Sequence, residues 1–377
     1  MIPGPVHVLH LCAGNLYGGV ERIVFECAAS RALSPAMTPS FAVAYDGRLA
    51  SEIEASGVAC RRLGEARMSR PHTILRARRE LLGLVERGRV DAVICHSSWM
   101  FGLAAPVVRT GGCGLAIWVH DVVSGRPWAE RWAGLTVPDV VISNSRYTDA
   151  SVPALFPSSA RSVLYAPLSA GPALDQDARR RLRASLGVHD DAPVVAIASR
   201  LERWKGHEAL IDALAATPGN WRLWIAGRPQ RGREEAHERS LRERVRAHGL
   251  ESRVTFLGER RDVPSLLRAA DIHCQPNTAP EPFGLAFIEA LYAGLPVVTT
   301  AIGGALEIVT GDCGVLVEAG DRAALASALG RLVADSSARR RLGSAGPARA
   351  RALCDPGRQL AALAEIVAGV STDRVSA

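Results

Sequence analysis

The chain has 377 residues, more than one hydrophobic core usually serves, so two domains are expected. Its 48% hydrophobic and 22% charged residues exclude a disordered chain, and no apolar run reaches the ~18 residues that cross a bilayer. The formal charge of +7 is dispersed among 38 acidic residues, which points to plain solubility rather than nucleic-acid binding.

The N-terminus lacks a basic segment followed by a long apolar one, so a cytoplasmic protein is expected. Eight cysteines are scattered without a CxxC pair and read as reduced core residues, with no disulfide or zinc site expected. Of 45 basic residues only Lys205 is a lysine. A compact point charge is one reason to keep a lysine there, and chance is another.

Short β-branched runs alternate with segments of helical period, the pattern of parallel sheets covered by helices on both faces. In chain order, strands are expected at 6–11, 40–44, 92–95, 115–119, 140–143 and 163–165. Residues 166–172, rich in small and breaking residues, suit a linker. The pattern then restarts, with strands at 194–198, 223–226, 254–257, 271–275, 297–300 and 315–317 alternating with helices from Gly206, Arg233, Val263, Leu285, Gly304 and Asp321. A last helix is expected at 356–370. The expected class is α/β, with two Rossmann-like doubly wound domains facing each other across a cleft: an N-terminal domain at 1–168, a C-terminal domain at 169–355, and a C-terminal helix at 356–377 that packs back on the first domain.

Ligands of open parallel sheets bind beyond the carboxyl ends of the strands. After the first strand, Gly18 and Gly19 open a helix, where backbone N–H groups meet an anion; a flexible turn fits the same residues equally well. No GxGxxG occurs, which counts against a dinucleotide-binding dehydrogenase. After the first strand of the second half, Arg200 offers a planar fork and Lys205 an ammonium beside a helix start, a pair able to neutralise a diphosphate. Glu281 lies between two prolines at a helix entrance, and Glu289 is placed about two turns inside that helix among apolar neighbours. The amides of Phe283, Gly284 and Leu285 stand between the two carboxylates. Asp175-Gln176-Asp177 is formally a DxD but precedes a helix, so capping is its expected role.

Together these residues resemble family 4 retaining glycosyltransferases of the GT-B type. Glu281 and Glu289 resemble the E-x7-E signature, Gly18-Gly19-Val20-Glu21 the GGxE entrance, and Ser199-Arg200 with Lys205-Gly206 the SR-x-x-x-x-KG element. Trp118-Val119-His120-Asp121, Ser143-Asn144-Ser145 and Ala269-Ala270-Asp271 match further family positions, in order over nearly the whole chain. The resemblance implies a nucleotide-sugar donor of UDP or GDP type, with Glu289 on the ribose and Glu281 on the transferred sugar. It gives the diphosphate to Arg200 and Lys205 and the cradle to amides at Gly18, Gly19 and after Phe283. Glu21 joins the substrate-binding set, and His120 is to face the reacting sugar, hydrogen-bonding it or polarising the acceptor. It also implies retention of anomeric configuration without a protein nucleophile, metal or cofactor.

Two departures concern the donor: Ala166-Pro167-Leu168 replaces an Asn-Gly-Val, and Gly227-Arg228-Pro229-Gln230 replaces a G-x-G. The acceptor, a small molecule, glycan or lipid, is not named by the sequence. Trp99, Trp128 and Trp132 suit acceptor stacking or packing, and the basic stretch 70–89 suits peripheral membrane contact or a solvated helix face. A nucleotide-sugar epimerase on the same fold and a non-catalytic nucleotide-sugar-binding protein are the alternative readings.

Overall fold

The computed structural model describes residues 4–230 and 232–372. Among them, the chain up to Ser169 and from Cys354 onward forms one unit, and Ala170–Leu353 forms a second.

The first unit is built on seven strands: β1 (Val6–Cys12), β2 (Met37–Val43), β3 (Cys60–Arg62), β4 (Ala92–Cys95), β5 (Gly114–Val119), β6 (Val140–Ser143) and β7 (Ala160–Val163). They lie in the order β3-β2-β1-β4-β5-β6-β7 with every pair parallel. Central strands are apolar along their whole length, since helices on both faces leave no side for water; all residues of β4 and β5 are buried. The helix Pro71–Gly88 shows how that cover is made, burying Ile74, Ala77, Leu81 and Val85 at helical spacing and turning most of its arginines outward. Arg78 is the exception, donating to the carbonyls of Leu103 and Gly102.

The second unit repeats the plan with β8 (Val194–Ala198), β9 (Arg222–Ala226), β10 (Val254–Gly258), β11 (Ile272–Gln275), β12 (Val297–Thr300) and β13 (Gly314–Val317), all parallel in the order β10-β9-β8-β11-β12-β13. Asp271 ties this sheet to the helix Gln176–Ser185, pairing with Arg179 at 2.8 Å and Arg183 at 2.9 Å while accepting from the Val194 amide.

Several boundaries differ from the sequence reading. β3 was not anticipated, because two of its three residues are exposed arginines on a short edge strand. β7 spans Ala160–Val163 rather than 163–165. The supposed linker is partly core: Ala166 and Leu168 are fully buried, and the Leu168 amide donates to Cys354 where the chain returns to the first unit. The helix expected from Gly304 is one turn, Ala305–Ile308, and the helix Ser336–Cys354 was missed. All eight cysteines are buried.

In each sheet the strand order reverses once, between β1 and β4 and between β8 and β11. There the loops leaving two neighbouring strands diverge to opposite faces and leave a crevice, the usual ligand position in such folds.

Candidate active site

In the second unit the crevice at β8 and β11 holds most of the charged residues singled out from the sequence. β8 runs into 199–206 and β11 into 276–284. The Lys205 ammonium donates to Glu281 Oε2 at 2.6 Å, and the side-chain amides of Gln275 and Asn277 donate to the same oxygen at 3.0 and 3.2 Å. Only 12% of the Lys205 side chain and 11% of that of Glu281 are exposed, so the carboxylate is a covered charge held by an opposite charge and two amides. Lys205 Nζ also lies 3.9 Å from the centroid of the Trp204 ring.

Glycine makes this meeting possible. Gly206 has φ +79°, and a Cβ there would stand 1.9 Å from the Pro276 carbonyl oxygen. The two loops touch because that position carries no side chain. The Thr278 amide donates to the Trp204 carbonyl at 2.8 Å, a second tie between them. From behind, Thr299 and Thr300 hydroxyls donate to the carbonyls of Gln275 and Asn277 at 2.8 and 2.7 Å. Glu281 bridges Gly303 in parallel and accepts the Gly304 amide at 2.7 Å, fixing the 280–284 loop.

Arg200 sits on the same loop as Lys205 and pairs with Glu202 at 3.1 Å, its side chain 35% exposed. Phe283 and Gly284 are buried at the entrance of the helix Leu285–Tyr292. Gly284, at φ +115°, is the N-cap, and the helix begins at Leu285 as expected; Glu289, half-buried, is its fifth residue and stands about one turn inside it rather than two. Gln275 and Asn277 were missed as partners of Glu281. Their position at the end of a strand and just beyond it was the available signal.

His120, Gly18, Gly19 and Glu21 belong to the first unit. Gly18 caps the helix Gly19–Ala29, and its amide donates to Glu21 Oε2 at 2.9 Å. The Gly18 amide expected to meet a sugar or phosphate is thus engaged by the family-type glutamate, which acts as a helix cap. His120 follows β5, where Asn144 holds its backbone carbonyl at 3.1 Å. Its Nε2 lies 3.0 Å from His96 Nδ1, and His96 Nε2 lies 2.9 Å from His10 Nδ1. Burial lowers the imidazoles of His10 and His120 to about 3 and that of His96 well below its ordinary value, so all three are neutral at pH 7. His120 is only partly covered as a residue, yet both its ring nitrogens are enclosed.

Trp99, Trp128 and Trp132 pack on one another, with ring centroids 5.1 to 6.4 Å apart. Asp175 caps the helix Gln176–Ser185, accepting the Ala178 amide at 2.7 Å, and Asp177 pairs with Arg180; the DxD is a helix start.

Residues 178–349 match the model of the family described as glycosyl transferases group 1. The second unit is a group 1 glycosyl transferase domain. The chain is 38% identical over 185 residues to a D-inositol 3-phosphate glycosyltransferase of Xylanimonas cellulosilytica, covering 47% of this chain and 42% of that one. It is 33% identical over 159 residues to the lipopolysaccharide core biosynthesis mannosyltransferase LpsB of Rhizobium meliloti, covering 41% and 45%. The chain thus spans less than half the length of these curated relatives. Over nearly its whole length it superimposes on Anabaena HepE in complex with UDP-glucose, with a TM-score of 0.85, 25% identity, and 96% and 99% of the two chains covered. The fold is GT-B. Within the glycosyl transferase domain the Lys205–Glu281 cluster sits at the β8/β11 reversal, and among the described residues no helix is long and apolar enough to cross a membrane.

Proposed function

We propose that this protein is a retaining, metal-independent glycosyltransferase that moves a sugar from a UDP- or GDP-type donor to a hydroxyl acceptor. The observation that carries the reading is the largely covered Lys205–Glu281 pair at the topological switch point of a group 1 glycosyl transferase domain. An ammonium has three donors. With one on Glu281, the others are available to phosphate oxygens, and Arg200 beside it adds a second cation. A diphosphate leaving group gathers charge as the glycosidic bond breaks, so preorganised cations lower the barrier without a nucleophile or a metal.

In this reading Glu281, Glu289 and the amides of Phe283, Gly284 and Leu285 orient the donor; in the first unit, Gly18, Gly19, Glu21 and His120 are the proposed substrate-binding group, with Glu21 fixing the Gly18 turn. The relatives' names support the class: an inositol phosphate glycosyltransferase, a mannosyltransferase, and a structure holding UDP-glucose. An acceptor bearing phosphate or lipid, reached at the membrane surface from a cytoplasmic protein, is consistent with them. Incubating the protein with UDP- and GDP-sugars in EDTA should release nucleoside diphosphate at an undiminished rate. Activity restored only by a divalent cation would refute metal independence, and a changed sugar on intact donor would favour an epimerase.

A further inference from the structure

In the second unit the loop that leaves β9, where Gly227-Arg228-Pro229-Gln230 departs from the family pattern, is locked to the loops beside it. Ala198, Ala226 and Gly258 stand side by side at the ends of β8, β9 and β10. The Ser199 amide donates to the Ala226 carbonyl at 3.0 Å and the Gly227 amide to the Gly258 carbonyl at 2.8 Å. Gly227 has φ +149°, and a Cβ there would stand 2.0 Å from the Ser199 carbonyl oxygen. The three loops therefore form one continuous ledge. Along it, Arg200 and Arg228 each come two residues after the paired alanines Ala198 and Ala226, and Glu259 comes one residue after Gly258. Arg228 Nε pairs with Glu259 Oε2, and the two side chains are 60% and 37% exposed, within reach of a ligand.

An ion pair this exposed adds little to stability, so its place on the ledge matters more than its strength. In the function proposed above, Lys205 and Arg200 hold the diphosphate, and Glu281, on the β11 loop, holds the transferred sugar. The nucleoside at the other end of the diphosphate then runs away from β11, along the ledge. Adjacent strands are ~4.8 Å apart, so β10 lies ~10 Å from β8, the reach of a ribose and its base. The helix Leu285–Tyr292 that carries Glu289 packs against Val263–Ala269, which follows β10, so Glu289 and the exit of β10 serve one face of the sheet.

The pair sets the donors of a guanidinium beside the acceptors of a carboxylate. With Nε committed to Glu259, the terminal nitrogens of Arg228 remain to donate. Guanine offers the complement along one edge: the O6 acceptor, then the N1–H and N2–H donors. Uracil offers O4 and N3–H but ends in the O2 acceptor, which a carboxylate oxygen repels. We propose that Arg228 and Glu259 select the base of the donor, reading guanine and rejecting uracil, so that the substrate is a GDP-sugar. This deepens the function proposed above and rests on it.

Calorimetric titration of the full chain with GDP, UDP and inosine diphosphate, whose base is guanine without the exocyclic amine, tests this. The wild type should bind GDP about 10- to 100-fold tighter than UDP, the discrimination that one well-placed bidentate contact gives. Inosine diphosphate should bind more weakly than GDP, because it lacks one of the two donors that Glu259 accepts. Glu259→Gln keeps the size of the side chain but sets an amide donor against the N–H groups of guanine; its GDP affinity should fall to that of UDP, and its UDP affinity should hardly change. UDP binding as tight as GDP in the wild type overturns the inference, as does a GDP preference that survives Glu259→Gln. Should that variant fail to fold, equal binding of GDP and inosine diphosphate by the wild type overturns it alone. A protein that binds UDP tightly contradicts only the choice of base, whereas one that binds none of the three sinks the function beneath it as well.

Discussion

Lys205 and Arg200 occupy one loop, and each is paired with its own carboxylate. Each neutralises a carboxylate that is almost covered, Glu281 by Lys205 and Glu202 by Arg200, but the Arg200 side chain is itself the more exposed of the two cations. Replacing either with alanine removes a cation from the proposed diphosphate site, which should lower kcat by roughly 100- to 1,000-fold. Each substitution also strands a nearly covered carboxylate, Glu281 or Glu202, so each should lose about 3 kcal/mol of stability, read as a shift in the urea midpoint. A midpoint unmoved in Lys205→Ala would show that Glu281 is adequately held by Gln275 and Asn277. At this scale the charged residues were legible from their types and their places after strands. Gln275 and Asn277 were not, since a neutral amide shows its purpose only when its partner is in view. His10 and His96 were hidden for a related reason: each is one polar residue in or beside an apolar strand, 86 residues apart, and only the sheet order brings them together.

At the scale of elements, the site depends on two loops that approach more closely than side chains allow. Gly206→Ala adds a Cβ at a positive φ and 1.9 Å from the Pro276 carbonyl, so the loop must move. A loss above about 3 kcal/mol is expected, together with loss of donor binding. Gly112 supplies the control: its φ is +71° and nothing lies within 4 Å of the added atom, so Gly112→Ala should cost only about 1 kcal/mol of backbone strain. Comparable midpoints for the two variants would contradict the account of the loop contact. The parallel strands were readable because β-branched runs buried on both faces have few other uses. β3 and the helix Ser336–Cys354 were not, the first being short and basic, the second interrupted by Gly343, Gly346 and Pro347. The helix start at Leu285 was legible, and Glu289, its fifth residue, stands about one turn inside it rather than the two expected.

At the scale of the molecule, both units bury neutral histidines. His10, His120 and His207 are lowered to about 3 and His273 to about 4, in each case mainly by burial, and burial also lowers His96 well below its ordinary value. The unfolded chain takes up protons below pH 6.5, while the native state does not until near pH 4 to 3. Stability is therefore fully present above pH 6.5 and lost as pH falls toward 4, with each histidine adding a slope of about 1.4 kcal/mol per pH unit. The urea midpoint should drop steeply between pH 7 and pH 5, and a flat profile would show that these rings are not neutral in the native state.

The central claim is that the β8/β11 crevice of the second unit binds a diphosphate through Lys205 and Arg200. Calorimetric titration of the full chain with UDP, GDP, uridine and guanosine in EDTA tests it most directly. One nucleoside diphosphate should bind at least tenfold tighter than its nucleoside, and that advantage should vanish in Arg200→Ala. A nucleoside that binds as tightly as its diphosphate, or an advantage that survives the substitution, would contradict the account.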